Sequence, residues 1–311
     1  MELLSASSRR GRIAVAVGAA LGVAATVGAA AILRATLSDA PTQAEAASPS
    51  AATPATTAAA VVAATGPAGP QPVACMAQLA DAVAARPAET AALGRYWAIH
   101  SRWWGEDMAA SGGSTVVTAA TYESRLWRAS DGSGRQDVIA IPGENSRPDS
   151  SSTYTAGGLA GVLAEPIETR PAVLAAQLQT HSPPQMGPQW VLRAIADVYH
   201  THATAQPVRV ALLRVLAMQT TGLQCEGGWK DRAGRQGIAV AVNSNSDSTR
   251  DRLIFDPVTG ALLAAEEVTL INPPALRGPT PRTQSYWLLL QARHVNDLPA
   301  GSAGTGKSGE R

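Results

Sequence analysis

Phenylalanine is almost missing from this chain, with one residue in 311, and lysine is confined to Lys230 and Lys307. Arginine supplies the other positive charges, 25 Lys+Arg stand against 24 Asp+Glu, and no basic stripe interleaved with aromatics runs along the chain. That balance argues against a nucleic-acid partner, whose phosphates demand a concentrated cationic face. No H-E-x-x-H spacing and no G-x-S-x-G elbow occur, so neither a zincin helix nor a serine-hydrolase turn is encoded. No serine or cysteine has a sequence context that marks it as a nucleophile, which leaves no catalytic residue, cofactor site or metal site to name.

Other absences are local. Residues 13–33, IAVAVGAALGVAATVGAAAIL, carry no charge over 21 residues and follow Arg9, Arg10 and Arg12. As a helix this segment is roughly 30 Å long, enough to cross a hydrocarbon core. The arginines on its amino side predict a cytoplasmic amino terminus and an extracytoplasmic remainder. A cleaved signal peptide is the alternative, since Ala44-Glu45-Ala46 has an A-x-A form, although the apolar run is longer than a signal core. Residues 38–72 are dominated by Ala, Pro, Thr, Ser and Gly, too little side-chain bulk to offset the entropy of ordering. They read as a tether. The expected organisation is a cytoplasmic segment at 1–12, a transmembrane helix at 13–33, the tether at 34–74, a folded extracytoplasmic domain at 75–297 and a tail at 298–311.

The two cysteines, Cys75 and Cys225, suit an exported domain, where they are free to pair; two buried thiols are the other reading. Between them the periodicity changes twice. CMAQLADAVAAR has helical spacing, RYWAIHSRWW alternates as a strand, and TYESRLWRASDGSGRQDVIAI reads as a hairpin about Asp131–Gly134. The following GENSRPDSSSTYTAGG is loop-like. Pro171, Pro188 and Pro207 then open three helical stretches, the last with an apolar stripe of Val208, Ala211, Leu212, Val215 and Leu216 and with Arg209 and Arg214 outside it. Strands return in GGWKDRAGRQGIAVAV, in DRLIFDPVTGALLAAEEVTL with a turn at Asp256–Gly260, and in YWLLLQARHV. This order predicts an α+β fold, an antiparallel sheet with helices on one side.

Four features invite chemical readings. The tail GSAGTGKS matches the phosphate-loop pattern through Gly301, Gly306, Lys307 and Ser308, but no strand delivers it and no helix follows, so no nucleotide is expected. His200 and His202 lie two apart, facing away from one another on a helix, and read as solvated residues at a helix end. Asp256 serves its turn, because one carboxylate is far short of a calcium site, and Glu266 and Glu267 point to opposite faces of a strand. Seven tryptophans are either core residues or the lining of an apolar cleft.

The anchor, the tether and the motifs YWAIHS, ESRLWRASDGSGRQ, VRVALLRVLA, DRAGRQGIAVAV and LIFDPVTGALLAAEEV together resemble an actinobacterial family of uncharacterised single-pass membrane proteins often encoded beside an extracytoplasmic-function sigma factor. The resemblance covers the anchor and most of residues 94–295, and R-x-x-L-I-F-D-P-x-T-G-x-L-L is its most specific element. More distantly, the order of elements looks like the periplasmic lipoprotein carriers and related sensor domains. That likeness implies a curved antiparallel sheet, a half-open barrel, wrapped on helices around an apolar cavity. The resemblance implies a sizeable cytoplasmic segment before the membrane helix, whereas about a dozen residues precede it here; if Met1 is the true start, direct sigma-factor sequestration is not expected. The expectation is a membrane-anchored, non-enzymatic binding or sensor domain whose partner is an apolar ligand or an envelope protein. A secreted metal-dependent hydrolase using the histidines, and a structural envelope protein, are the alternatives.

Overall fold

The computed structural model describes residues 72–89, 94–111, 114–146, 148–219, 222–273 and 278–299. The apolar segment at 13–33, almost all of the tether and the glycine-rich match at 301–308 lie outside the described residues. No helix among the described residues is long and apolar enough to cross a membrane.

The chain runs through α1 (Pro72–Ala84), β1 (Tyr96–Ser111), β2 (Ser114–Ala129), β3 (Gly134–Ala140) and β4 (Ser150–Tyr154). It continues through α2 (Pro171–His181), α3 (Trp190–Thr201), α4 (Gln206–Ala217), β5 (Gln224–Lys230), β6 (Gln236–Asn243), β7 (Thr249–Phe255), β8 (Leu262–Thr269) and β9 (Arg282–Val295). The nine strands form one antiparallel sheet in the order β4-β3-β2-β1-β9-β8-β7-β6-β5. Each meander joins sequence neighbours, β1 to β4 in one and β5 to β9 in the other. Only the β1/β9 pair joins distant ones, from Tyr96 opposite Val295 to Gly105 opposite Ser285, with an irregularity between His100 and Ser101. The fold is α+β with an open antiparallel sheet.

Helices cover one face of the sheet. Pro171 and Pro207 stand in the first turns of α2 and α4, where a missing N–H costs no helical hydrogen bond. Along α4 the predicted stripe is buried, and so is Leu213 beside it, because α1 and α2 pack against further faces of the helix. The inner sheet face contributes Ile99, Val240, Leu253, Phe255, Trp287 and Leu289 to the same core. Alternation sends Ile254, Ala264 and Leu288 to the opposite face, where they form a smaller cluster with Trp229 and Tyr286 packed against it.

The tip between β5 and β6 folds over that second cluster. Arg235 donates to the carbonyls of Leu289 and Leu263 at 2.7 and 2.9 Å. Asp231, its side chain fully buried, accepts from the N–H groups of Ala233 and Arg235 and from the Arg235 guanidinium. The echo Trp-basic-turn-Gly-Arg-Gln in the β2–β3 hairpin builds a similar turn, in which Asp131 accepts from the N–H of Ser133.

Three details depart from the pattern of the sequence. The serine-rich stretch after β3 contains β4, whose Ser150–Tyr154 backbone pairs with β3 from Val138 to Gly134; it has no apolar alternation because an edge strand can be held by its ladder alone. The first hairpin is longer than its apolar part, pairing from Tyr96 opposite Ala129 to Ser111 opposite Ser114. Arg209, placed outside the α4 stripe, is buried. Its guanidinium donates to the carbonyls of Thr259 and Thr204 at 2.8 and 2.6 Å and pairs with Glu89. The β7–β8 turn tucks against the helices at that point, with Gly260 at φ 66° and its carbonyl accepting from the Tyr199 hydroxyl at 3.1 Å.

Cys75 on α1 and Cys225 on β5 are joined as a disulfide across 150 residues of chain, with Cα atoms 6.6 Å apart. It ties the amino-terminal helix to the far edge strand, and in the chain-entropy model a loop of that length stabilises by up to about 5 kcal/mol. Cys75→Ser with Cys225→Ser is expected to lower the urea midpoint without changing the secondary structure seen by circular dichroism. An unchanged midpoint would contradict a structural role for the bridge.

Candidate functional site

The two histidines of VYHTHA point in opposite directions from the end of α3, and neither is solvated as the sequence suggested. His200 packs between the Trp103 and Trp287 rings, with centroids 4.8 and 4.1 Å away. Neither of its ring nitrogens has a hydrogen-bond partner among the described residues, and the nearest carboxylate, Asp197, is 3.8 Å away. Desolvation alone pushes its pKa down to about 3, so the ring is a neutral core residue.

His202 is also fully buried, but it is satisfied. Its Nε2 accepts the N–H of Leu163 at 3.0 Å, which places the proton on Nδ1, where it is donated to Glu165 at 3.0 Å. Arg128, from β2, closes the group by donating to Glu165 at 2.6 Å and to the carbonyl of Leu159 at 2.9 Å. Burial lowers the His202 pKa more than Glu165 raises it. These contacts clamp the segment 159–165 onto the sheet, and they leave His202 without a nitrogen lone pair to offer a metal. Gly161 passes so close that a Cβ there would strike the imidazole and the Arg128 guanidinium. Among the described residues no three His, Cys, Asp or Glu side chains converge on a metal position.

Glu266 and Glu267 do face opposite ways. On the helical side Glu267 stands directly across from Asp251 in the β7/β8 pair, and Arg193 of α3 reaches down between them. Arg193 Nε is 2.6 Å from Asp251 and its Nη2 is 3.7 Å from Glu267. One turn along α3, Asp197 meets His181 of α2 at 2.8 Å. Burial raises the pKa values of Asp197 and Asp251. Glu267 is pushed up to about 7 by burial first and then by Asp251, with Arg193 opposing. One guanidinium thus serves two buried carboxylates, which has no precursor in any local motif.

On the outer face Glu266 belongs to a chain of alternating charges. Arg250 and Arg252 of β7 share Glu226 of β5, Arg252 and Arg232 share Glu266, and Arg252 lies 3.9 Å over the Trp229 ring. Beside this chain opens a groove of about 440 Å³ whose wall includes Lys230, Arg232, Arg250, Arg252, Arg282 and Trp229. A second opening of about 210 Å³ lies between Pro188 and the β6–β7 turn at Asn245. The space under the helices is occupied instead by Trp103, Trp287, His200 and Leu289. Sequence reasoning overlooked the groove because its residues come from four strands and a turn.

Two substitutions test these arrangements. Below its ordinary value of 4.5 the Glu267 carboxyl is protonated whether the chain is folded or not, so its contribution to stability is fully present there and is lost as pH rises through about 7. Glu267→Gln is expected to match the unsubstituted protein near pH 4 and to exceed its stability by up to about 3 kcal/mol near pH 8.5, as read from urea melts; parallel pH profiles would refute this. Gly161→Ala is expected to cost about 2 kcal/mol, because the added carbon forces His202 off Leu163. A loss within error of zero would show that the segment can shift freely.

No family model matches the chain, and no curated protein does. Among solved structures, the crystal structure of a DUF1329 family protein from Desulfovibrio piger is similar with a TM-score of 0.23 and 9% identity, over 74% of this chain and 96% of that one. A likeness of that strength carries no functional argument.

Proposed function

We propose that the chain is a membrane-anchored, non-enzymatic binding or sensor domain that works outside the cytoplasm. The observation that carries this reading is the Cys75–Cys225 disulfide, since such bridges form and persist in oxidising compartments. The apolar segment at 13–33 with arginines on its amino side supports the same address. A binding role rests on the outer groove of about 440 Å³. The histidines argue against hydrolysis in a positive way. His202 is engaged at both nitrogens, and His200 sits between the Trp103 and Trp287 rings and lines neither of the two openings described above.

In this reading the curved sheet is a half-open barrel of the carrier and sensor kind, and the domain reports on the envelope to a sigma-factor pathway. Its ligand meets the outer face, because the aromatic side chains that would line an apolar cavity pack against one another and against His200.

Topology is the first thing to test. Fused after residue 299, alkaline phosphatase is expected to be active and green fluorescent protein to be dark in intact cells. The opposite pair of results would place the domain in the cytoplasm and overturn the proposal.

A further inference from the structure

We infer that the outer groove binds an extended polyanion, a soluble chain carrying phosphate or carboxylate groups at regular intervals. Five cations stand on its wall, and the carboxylates paired with them are Glu106, Glu226 and Glu266. Five against three leaves two positive charges in excess, more than the +1 of the entire chain. A charge ladder that served the sheet alone would balance locally. This one accumulates cations where the surface opens.

The individual residues point the same way. Lys230 is the sole lysine among the described residues, is exposed at the end of β5, and makes no ion pair among them. Arg232 donates through Nε to Glu266 and through Nη2 to Thr283, and Arg252 through Nε and Nη1 to its two glutamates. Each therefore keeps guanidinium N–H groups for a ligand, in the fork geometry that suits phosphate and carboxylate. Arg282 is held by Glu106 at the other side of the groove.

The spacing favours a chain over a single ion. Arg250 and Arg252 are two residues apart on one face of β7, which places their Cα atoms roughly 7 Å apart. Lys230 ends β5, Arg232 lies in the β5–β6 tip, and Arg282 lies on β9. A repeating anion can meet several of these at once and gain from their linkage. A flat bilayer would meet only the exposed rim, since the Arg252 side chain in the groove wall is only 9% exposed.

The inference rests on the binding-module reading but fails separately from it. The test uses the full chain in an uncharged detergent, titrated with polyphosphate and with polygalacturonate, with neutral dextran and phosphatidylglycerol vesicles as comparisons. Both polyanions are expected to bind at low salt and to weaken steeply as salt is raised; dextran is not. Lys230→Glu, at an exposed and unpaired position, is expected to keep the melting temperature and to weaken polyanion binding about tenfold. Arg214→Glu, the same charge reversal on the exposed side of α4, is expected to leave binding unchanged. The inference is overturned if neither polymer binds, if the vesicles bind and the polymers do not, or if the two reversals weaken binding equally. The fusion experiment is independent of all three outcomes.

Discussion

Everything in this domain depends on β9 lying between β1 and β8. Two antiparallel meanders, each assembled from neighbours in sequence, become a single sheet only through the β1/β9 ladder that joins residues nearly two hundred apart. That contact aligns the inner faces of both halves, Ile99 and Trp103 from one with Trp287 and Leu289 from the other. The helices of the β4–β5 crossover then have one continuous surface to cover. Long-range pairing of this kind carries a large loop-closure cost, and the Cys75–Cys225 bridge reduces it by tying α1 to the opposite edge.

Charges are distributed between the two faces according to how well each face can satisfy them. Under α3 the carboxylates Asp251 and Glu267 share the single cation Arg193, so burial dominates and both hold protons more tightly than usual. Outside, Glu226 and Glu266 each meet two arginines. The helical face is therefore short of positive charge and the outer face has more than it needs. The first condition makes stability depend on pH, and the second leaves donors facing solvent.

The residues that looked chemical in the sequence are mostly structural, and the reverse also holds. The spacing of His200 and His202 correctly implied divergence, but it could not show that the His200 ring meets Trp103 and Trp287 or that the 159–165 segment closes over His202. Arg209 reads as a solvent-facing residue from helical periodicity, yet it becomes a clamp on the β7–β8 turn because that turn folds back on α4. Asp256 behaves as its local sequence implies, accepting from the N–H groups of Val258 and Thr259. The contrast is one of range. A turn is satisfied within five residues, whereas the environment of a helix face depends on what the rest of the chain brings to it.

By itself the sequence determined the order of strands and helices apart from β4, the hairpin turns, the starts of α2 and α4 at proline and the opposite facing of Glu266 and Glu267. All of these follow from backbone preference and from periodicities of 2 and 3.6 residues, which neighbouring residues enforce. Tertiary structure alone decided that β1 and β9 pair and that Arg193 falls between two carboxylates. It also decided that Arg232, Arg250, Arg252, Arg282 and Lys230 surround one groove. Those outcomes depend on strand register and on the curl of the β5–β6 tip over the sheet, which bring together charges that no local pattern connects.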